Sequence, residues 1–221
     1  MNPRPQALLF DLDGTLIDSA PDLAGTANDM RERRGMTLLP YARLRPMVGS
    51  GARGMVGAAF GVKPGDADFE ALREEFLEHY PGRSLRETRV FGEVEPLLQR
   101  IESIGVPWGI VTNKIERYTL PIVDGLGLAQ RAGAVVCGDT TPHAKPHPQP
   151  LLEAARRLGV APQTCVYIGD DLRDVQAGRA AGMQTIAVGW GYLGEGEPIE
   201  AWGADFIVER PDQLLKLLAL D

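Results

Sequence analysis

The stretch Ala7-Leu8-Leu9-Phe10-Asp11-Leu12-Asp13-Gly14-Thr15-Leu16 decides the fold. Residues 7–10 form an apolar run of strand length, and it ends in two aspartates one residue apart. Gly14 and Thr15 then break the extended pattern. Strand side chains alternate, so Asp11 and Asp13 share one side if the extended path continues across them. Two carboxylates held together repel each other, and they call for a cation or a shared proton. A lone D-x-D is usually a strand followed by a polar turn. The full D-x-D-G-T string arises by chance only at about 10⁻⁵ per position from average residue usage. Its partners must therefore be sought further along the chain.

Downstream of this string the chain divides in two. From Asp18 to about Arg86 no convincing strand is legible. A helix is expected from 18 to 34, a short one over 40–47, a glycine-rich turn with one cation over 48–54, and an amphipathic helix over 68–80. From Val90 onward helices and strands alternate. Strands are expected at 108–112, 134–137, 165–168, 185–188 and 206–208. Helices are expected at 93–104, 116–126, 148–158, 172–181 and 211–218, several ended by glycine. Near-continuous apolar strands separated by helices mean a parallel sheet covered on both faces. The expected fold class is therefore α/β: a Rossmann-like parallel sheet core with helices on both faces and an inserted all-helical segment. The core takes 1–17 and 87–221, and the insert takes 18–86.

Bulk properties narrow the function. The chain has 221 residues, 44% hydrophobic and 24% charged, enough for one substantial core. Its net charge of -7 argues against nucleic acid as a partner, because phosphate backbones need a basic face. A small phosphorylated substrate remains compatible, since a local pocket can be positive on an acidic protein. The two cysteines, Cys137 and Cys165, lie in apolar runs and read as reduced core residues of a cytoplasmic protein. Met1-Asn2-Pro3-Arg4-Pro5 lacks the pattern of a secretion signal, and no run of 18 apolar residues suggests a membrane span. Oligomeric state is left open between monomer and homodimer, as no long heptad run or apolar strip stands out.

In open parallel sheets, ligands bind beyond the carboxyl ends of the strands. Those ends here carry Asp11 and Asp13, then Thr112-Asn113-Lys114, a loop with Lys145-Pro146, and Gly169-Asp170-Asp171 with Asp174 close behind. Asp11, Asp170 and a backbone carbonyl are hard oxygen ligands suited to Mg²⁺, which also binds a substrate phosphate. Lys145 can offset the carboxylates and hold a phosphoryl oxygen. The Thr112 hydroxyl and nearby backbone amides can donate to the other oxygens. A carboxylate near phosphorus can attack it to give an acyl phosphate. The second, Asp13, can protonate the leaving oxygen and later deprotonate water.

The four motifs Asp11-Leu12-Asp13-Gly14-Thr15, Thr112, Lys145 and Gly169-Asp170-Asp171-x-x-Asp174 together resemble the haloacid dehalogenase-like superfamily. That resemblance implies Asp11 as nucleophile, Asp13 as general acid/base, and Thr112, Asn113 and Lys145 as phosphate binders. It implies a Mg²⁺ site of Asp11, the Asp13 carbonyl and Asp170, supported by Asp171 and Asp174. It also implies that 18–86 is a helical cap domain. Asp13 favours phosphoryl transfer over dehalogenation, because a halide leaves without a proton. Val48-Gly49-Ser50-Gly51 and Val111-Thr112-Asn113-Lys114 are similar to the phosphoglycolate phosphatase branch. Gly51-Ala52-Arg53-Gly54-Met55-Val56, Trp108 to Lys114, Gly169 to Asp174 and Trp202-Gly203-Ala204-Asp205 are similar to bacterial N-acetylmuramic acid 6-phosphate phosphatases. The resemblance implies an aspartyl-phosphate phosphomonoester hydrolase acting on one of these two carboxylated substrates. A β-phosphoglucomutase-like sugar phosphomutase is the alternative, and a non-catalytic phosphate-binding module is a further one. Arg53, in the glycine-rich turn, is the candidate for reading the non-phosphate end of the substrate, with Arg45 behind it. His143 is near Lys145 in sequence only.

Overall fold

In the computed structural model, which describes residues 4–194 and 196–220, six strands form one parallel sheet. Met1 to Pro3 of the N-terminal reading lie outside the described residues. The sheet order places β1 (Ala7–Phe10) between β4 (Trp108–Val111) and β6 (Cys165–Gly169). Beyond β4 lies β5 (Ala134–Val136), and beyond β6 lie β7 (Gln184–Val188) and β8 (Phe206–Val208). The chain thus runs outward from β1 to one edge, returns, and runs outward to the other. Leu8 and Phe10 face one side of the sheet with Ile110, Val166 and Ile168. Ala7 and Leu9 face the other with Val111 and Tyr167. This two-sided burial is why the strands read as unbroken apolar runs.

Helices cover both faces. On the first are α5 (Val94–Ser103), α6 (Glu116–Gly125) and α9 (Asp212–Leu217), contributing Leu98, Ile101, Ile122, Val123 and Leu214. On the second are α7 (Gln149–Leu158) and α8 (Leu172–Ala180), contributing Leu151, Ala154, Ala155 and Ala177. Every strand of the sheet was legible, with ends shifted by a residue at most. Among the described residues no helix is long and apolar enough to cross a membrane.

Two features between β1 and α5 differ from the sequence reading. A two-stranded antiparallel ribbon joins β2 (Ile17–Asp18) to β3 (Arg89–Val90), pairing Ile17 with Val90 and Asp18 with Arg89. Two-residue strands carry no periodicity to read. The expected boundary between 17 and 18 falls inside this ribbon. The second difference is at 48–54. Instead of a turn, a 3₁₀ segment (Arg45–Ser50) runs into helix α3 (Gly51–Phe60). Glycine costs about 1 kcal/mol in a helix interior relative to alanine. Burial of Met55, Val56 and Ala59 overrides that preference. The remaining helices of this region are α1 (Ala20–Glu32), α2 (Tyr41–Leu44) and α4 (Phe69–His79).

The chain's return from the helices to β3 is tied by Asp22, which is fully buried in the first turn of α1. Its Oδ2 accepts from the Thr88 amide at 2.8 Å, the Thr88 hydroxyl at 2.8 Å and the Glu87 amide at 3.0 Å. Replacing it strands three donors around a carboxylate-sized hole. Asp22→Ala should lower the free energy of unfolding by about 2–4 kcal/mol in urea titrations. A loss under about 0.5 kcal/mol would show that water serves these donors equally well.

Candidate functional site

The carboxyl ends of β1, β4 and β6 are neighbours in the sheet, so their terminal residues converge. A cavity of about 360 Å³ lies over them, bounded on its far side by 48–52 and α4. Asp11, Asp13, Thr112, Asn113, Lys145, Asp170, Asp171 and Asp174, all of the residues expected for catalysis, phosphate and metal, line it.

Lys145 is the electrostatic centre. Its ammonium is almost fully buried and donates to Asp174 Oδ1 at 2.7 Å, Val111 O at 2.9 Å and Tyr167 Oη at 2.9 Å. It also lies 2.8 Å from Asp11 Oδ1. Burial alone would lower the Lys145 pKa, but the charges of Asp11 and Asp174 outweigh it and raise it. Asp170 is held by the Thr15 hydroxyl at 3.0 Å and the Tyr192 amide at 2.8 Å. Burial pushes the Asp170 carboxyl well up, and the charges of Asp11 and Asp174 add to that. Burial likewise raises Asp11, to about 7, against the opposing pull of Lys145. These shifts share one cause: three carboxylates crowd one rim, and among the described residues Lys145 is the ammonium that contacts them.

That crowding fits a hard divalent cation. Carboxylate oxygens of Asp11, Asp170 and Asp174 lie within 4.8 Å of one another. Asp11 Oδ1 is buried and has no hydrogen-bond partner among the described residues despite its closeness to Lys145. An all-oxygen set with one unclaimed lone pair matches Mg²⁺ chemistry. Asp174 itself is bound to Lys145, to Tyr167 Oη at 3.1 Å and to the Asp171 amide at 3.1 Å. Its carboxylate is therefore already spoken for, and it orients the cluster.

The other predicted residues separate by role. The Thr112 hydroxyl accepts from the Lys114 amide at 3.1 Å, which leaves its proton available to the cavity. The Asn113 amide is engaged at both ends with the Lys145 backbone, 2.9 Å each way. Its side chain thus pins the Lys145 loop to the end of β4. Asp171 caps α8, accepting from the Arg173 amide at 2.8 Å, and pairs with the Arg173 guanidinium at 2.7 Å. Burial would raise its carboxyl, but Arg173 outweighs this and holds it low.

Arg53 is the residue the structure does not bring to the site. It is exposed and does not line the cavity. Because 51–60 is a helix, only its first residues, Gly51 and Ala52, reach the wall. Arg45 is also elsewhere: it donates to Trp190 O at 3.2 Å and lies over the Tyr192 ring at 5.1 Å. His143 is exposed and stacks on His147. The cations that do line the cavity, besides Lys145, are Arg73, Lys114 and Arg173. Lys114 stood in a string already singled out, yet no role was assigned to it. Arg73 carried no signal beyond its place on an amphipathic helix.

The metal reading has a pH consequence. An Asp11 carboxyl near 7 in the folded chain lies above its ordinary unfolded value, so without metal the folded state binds the extra proton. That stabilisation is complete at low pH and is lost as pH rises through about 7. Mg²⁺ needs the carboxylate, so its effect runs the other way. The gain in Tm from about 10 mM MgCl₂ should be small near about pH 5.5 and grow by several degrees near about pH 8. Differential scanning fluorimetry after chelation tests this, and a gain independent of pH would contradict it.

Comparison with known proteins agrees with the geometry. A protein-family model described as haloacid dehalogenase-like hydrolase matches residues 8–188. The chain is 49% identical over 211 residues to a phosphoglycolate phosphatase of Xanthomonas campestris, covering 95% of each. It is 43% identical over 215 residues to an N-acetylmuramic acid 6-phosphate phosphatase of Pseudomonas aeruginosa, covering 97% of this chain and 95% of that one. Its fold is similar to the crystal structure of a predicted phosphoglycolate phosphatase from Haemophilus somnus. There the TM-score is 0.83 at 24% identity, over 98% of this chain and 99% of that one.

Proposed function

Because the chain belongs to the haloacid dehalogenase-like hydrolase family, we propose that it hydrolyses a small phosphomonoester through an aspartyl-phosphate on Asp11. The observation that carries this is the convergence of Asp11, Asp13, Thr112, Lys145 and Asp170 on one cavity. Asp11 attacks phosphorus, forming its own P–O bond as the bond to the leaving oxygen breaks. Asp13 gives the leaving oxygen its proton. Asp13 then takes a proton from water as that water attacks phosphorus, which releases phosphate and frees Asp11. Thr112 and Lys145 hold the phosphoryl oxygens throughout. Mg²⁺, held by Asp11, Asp170 and the Asp13 carbonyl, would supply charge neutralisation between the nucleophile and the phosphate.

In this reading 18–86 is the cap, and it shapes the leaving-group end. The cavity wall there combines Phe76, Leu77, Tyr80 and Arg73 of this segment with Ile115 and Tyr118 of the core. A cavity of about 360 Å³ is at the lower end of the size that holds a compact organic ligand, about 300–1,000 Å³. A two-carbon phospho-acid would leave the apolar wall uncovered. A phosphorylated sugar acid would cover it and present its carboxylate toward Arg73. Those observations favour the N-acetylmuramic acid 6-phosphate activity of the Pseudomonas aeruginosa relative over 2-phosphoglycolate. A cytoplasmic setting fits the two free, buried cysteines Cys137 and Cys165. One chain supplies the whole site, so a monomer is sufficient.

Asp11→Asn should lower kcat by at least about 10³-fold while the circular dichroism spectrum is unchanged, and chelation should stop wild-type turnover. Turnover persisting in either case would refute the nucleophile or the metal role. In a panel of N-acetylmuramic acid 6-phosphate, 2-phosphoglycolate and hexose phosphates, the first should give the highest kcat/KM. Its excess over 2-phosphoglycolate should shrink about tenfold in Arg73→Ala. A higher kcat/KM for 2-phosphoglycolate would overturn the size argument.

A further inference from the structure

Lys114 is a buried cation that the mechanism above does not use. Its side chain is 13% exposed, and its backbone is fixed at three points. The amide donates to Thr112 Oγ1, and the carbonyl accepts from the Thr119 hydroxyl at 3.0 Å and the Gly138 amide at 2.9 Å. From this anchored base the ammonium reaches in two directions. It donates to Asp13 Oδ1 at 2.7 Å and to the Tyr80 hydroxyl at 3.0 Å. Burial would lower the Lys114 pKa, but the charge of Asp13 outweighs it, so the group stays an ammonium.

Tyr80 belongs to the helical segment, directly after α4. Its ring is buried, parallel to Phe76 at 6.2 Å and edge-on to Tyr118 at the same distance. Asp13 belongs to the loop after β1. Lys114 is thus a polar bridge between Tyr80 and the acid–base carboxylate. The second contact to Asp13, from the Ser19 hydroxyl, also falls on Oδ1. Oδ2 takes no hydrogen bond among the described residues, and Asp13 is part of the cavity lining. Two donors on one oxygen fix the side-chain rotamer and direct the other oxygen at the leaving group.

We propose that Lys114 is the positioning residue for Asp13, and that Tyr80 holds Lys114 in place only while the helical segment is seated on the sheet. This rests on the phosphatase reading, in which Asp13 protonates the leaving oxygen. Proton transfer requires correct geometry within hydrogen-bond reach, so loosening Asp13 costs rate in proportion to how much the leaving group needs a proton. A tether through the cap makes that geometry a property of the closed arrangement. Leaving-group protonation is then confined to the state in which the cavity is covered.

The test uses the full chain with Mg²⁺ and three probes: p-nitrophenyl phosphate, phenyl phosphate and N-acetylmuramic acid 6-phosphate. The first releases a good leaving group that departs without a proton, and the others need one. The parameter kcat/KM reports the steps through leaving-group departure and excludes the later hydrolysis of the intermediate. Tyr80→Phe keeps the ring and removes only the hydroxyl. It should lose kcat/KM at least about fivefold more with phenyl phosphate and the sugar phosphate than with p-nitrophenyl phosphate. Lys114→Met, which keeps length and burial, should widen that difference to about fiftyfold or more. Equal losses on all three probes would overturn the positioning role and leave Lys114 a structural or binding residue. If Lys114→Met fails to fold, the Tyr80→Phe comparison decides alone. A wild-type enzyme inactive on all three probes would overturn the phosphatase reading and this inference with it.

Discussion

The buried ammonium of Lys145 is the interaction on which the remainder of the site depends. Asp11, Asp170 and Asp174 stand within a few ångströms of one another at the end of an apolar sheet. Burying even one unpaired carboxylate costs several kcal/mol. Lys145 contacts two of the three and leaves an excess of negative charge. The folded chain has two ways to relieve it. Without metal it favours the protonated carboxyls, because burial first and the neighbouring carboxylates second raise Asp170, and burial raises Asp11 against the pull of Lys145. With a divalent cation it can release them. The position of Lys145 is itself secured at a distance, because Asn113 clamps its backbone to the end of β4. One sheet therefore sets the spacing of every charge.

The helical segment is attached to this rim in a different way. The Ile17–Val90 and Asp18–Arg89 pairs are a narrow connection. Beyond it, discrete polar ties join the core to the inserted segment: the Tyr192 hydroxyl accepts from the Ser19 amide at 2.8 Å and the Ala20 amide at 3.0 Å, and the Ser19 hydroxyl donates to Asp13. Arg173 donates to Gly49 O at 2.6 Å, Arg45 to Trp190 O, and Lys114 to Tyr80. Each joins a core group to a single group of the inserted helices. Apolar contact continues across the gap through Tyr80 and Tyr118. Segments joined by short ribbons and isolated polar contacts open at lower free energy than sheet cores do. The charged cluster lies at the strand ends of the sheet, whereas 48–52 and α4 reach the same cavity from the segment joined by the ribbon.

This division explains what was legible in the sequence. The six strands and their flanking helices follow from two-sided burial, which leaves unbroken apolar runs between glycine stops. The site residues followed because a parallel sheet gathers strand ends, so Asp11, Thr112 and Asp170 could be placed together without coordinates. Arg53 failed for the opposite reason. Its surroundings were glycine-rich, and local propensity suggested a turn. Tertiary burial of Met55 and Val56 makes it a helix and sends Arg53 to solvent. Lys114 and Tyr80 could not be paired from sequence, since 34 positions separate them and neither lies in a periodic pattern that names a partner. The β2–β3 ribbon was invisible because two residues define no period.

The loop after β1 and the segment after β7 show how tightly the Asp170 carboxylate is enclosed. Gly14 adopts φ +87°, and a Cβ there would stand 2.2 Å from Asp170 Oδ2. At Gly191 a Cβ would stand 2.2 Å from Asp170 Cβ. Both loops therefore press backbone against the carboxylate, and this closeness is what lets the Tyr192 amide and the Thr15 hydroxyl reach its two oxygens. A carboxylate so packed has no alternative rotamer to adopt when charge at the rim changes. Asp13 is not enclosed in this way: its side chain is 17% exposed and depends on Ser19 and Lys114 for its direction. The two aspartates thus differ in the source of their order. Asp170 is fixed by the core itself, whereas Asp13 is fixed by Ser19 and by a lysine that also contacts Tyr80 of the inserted helices.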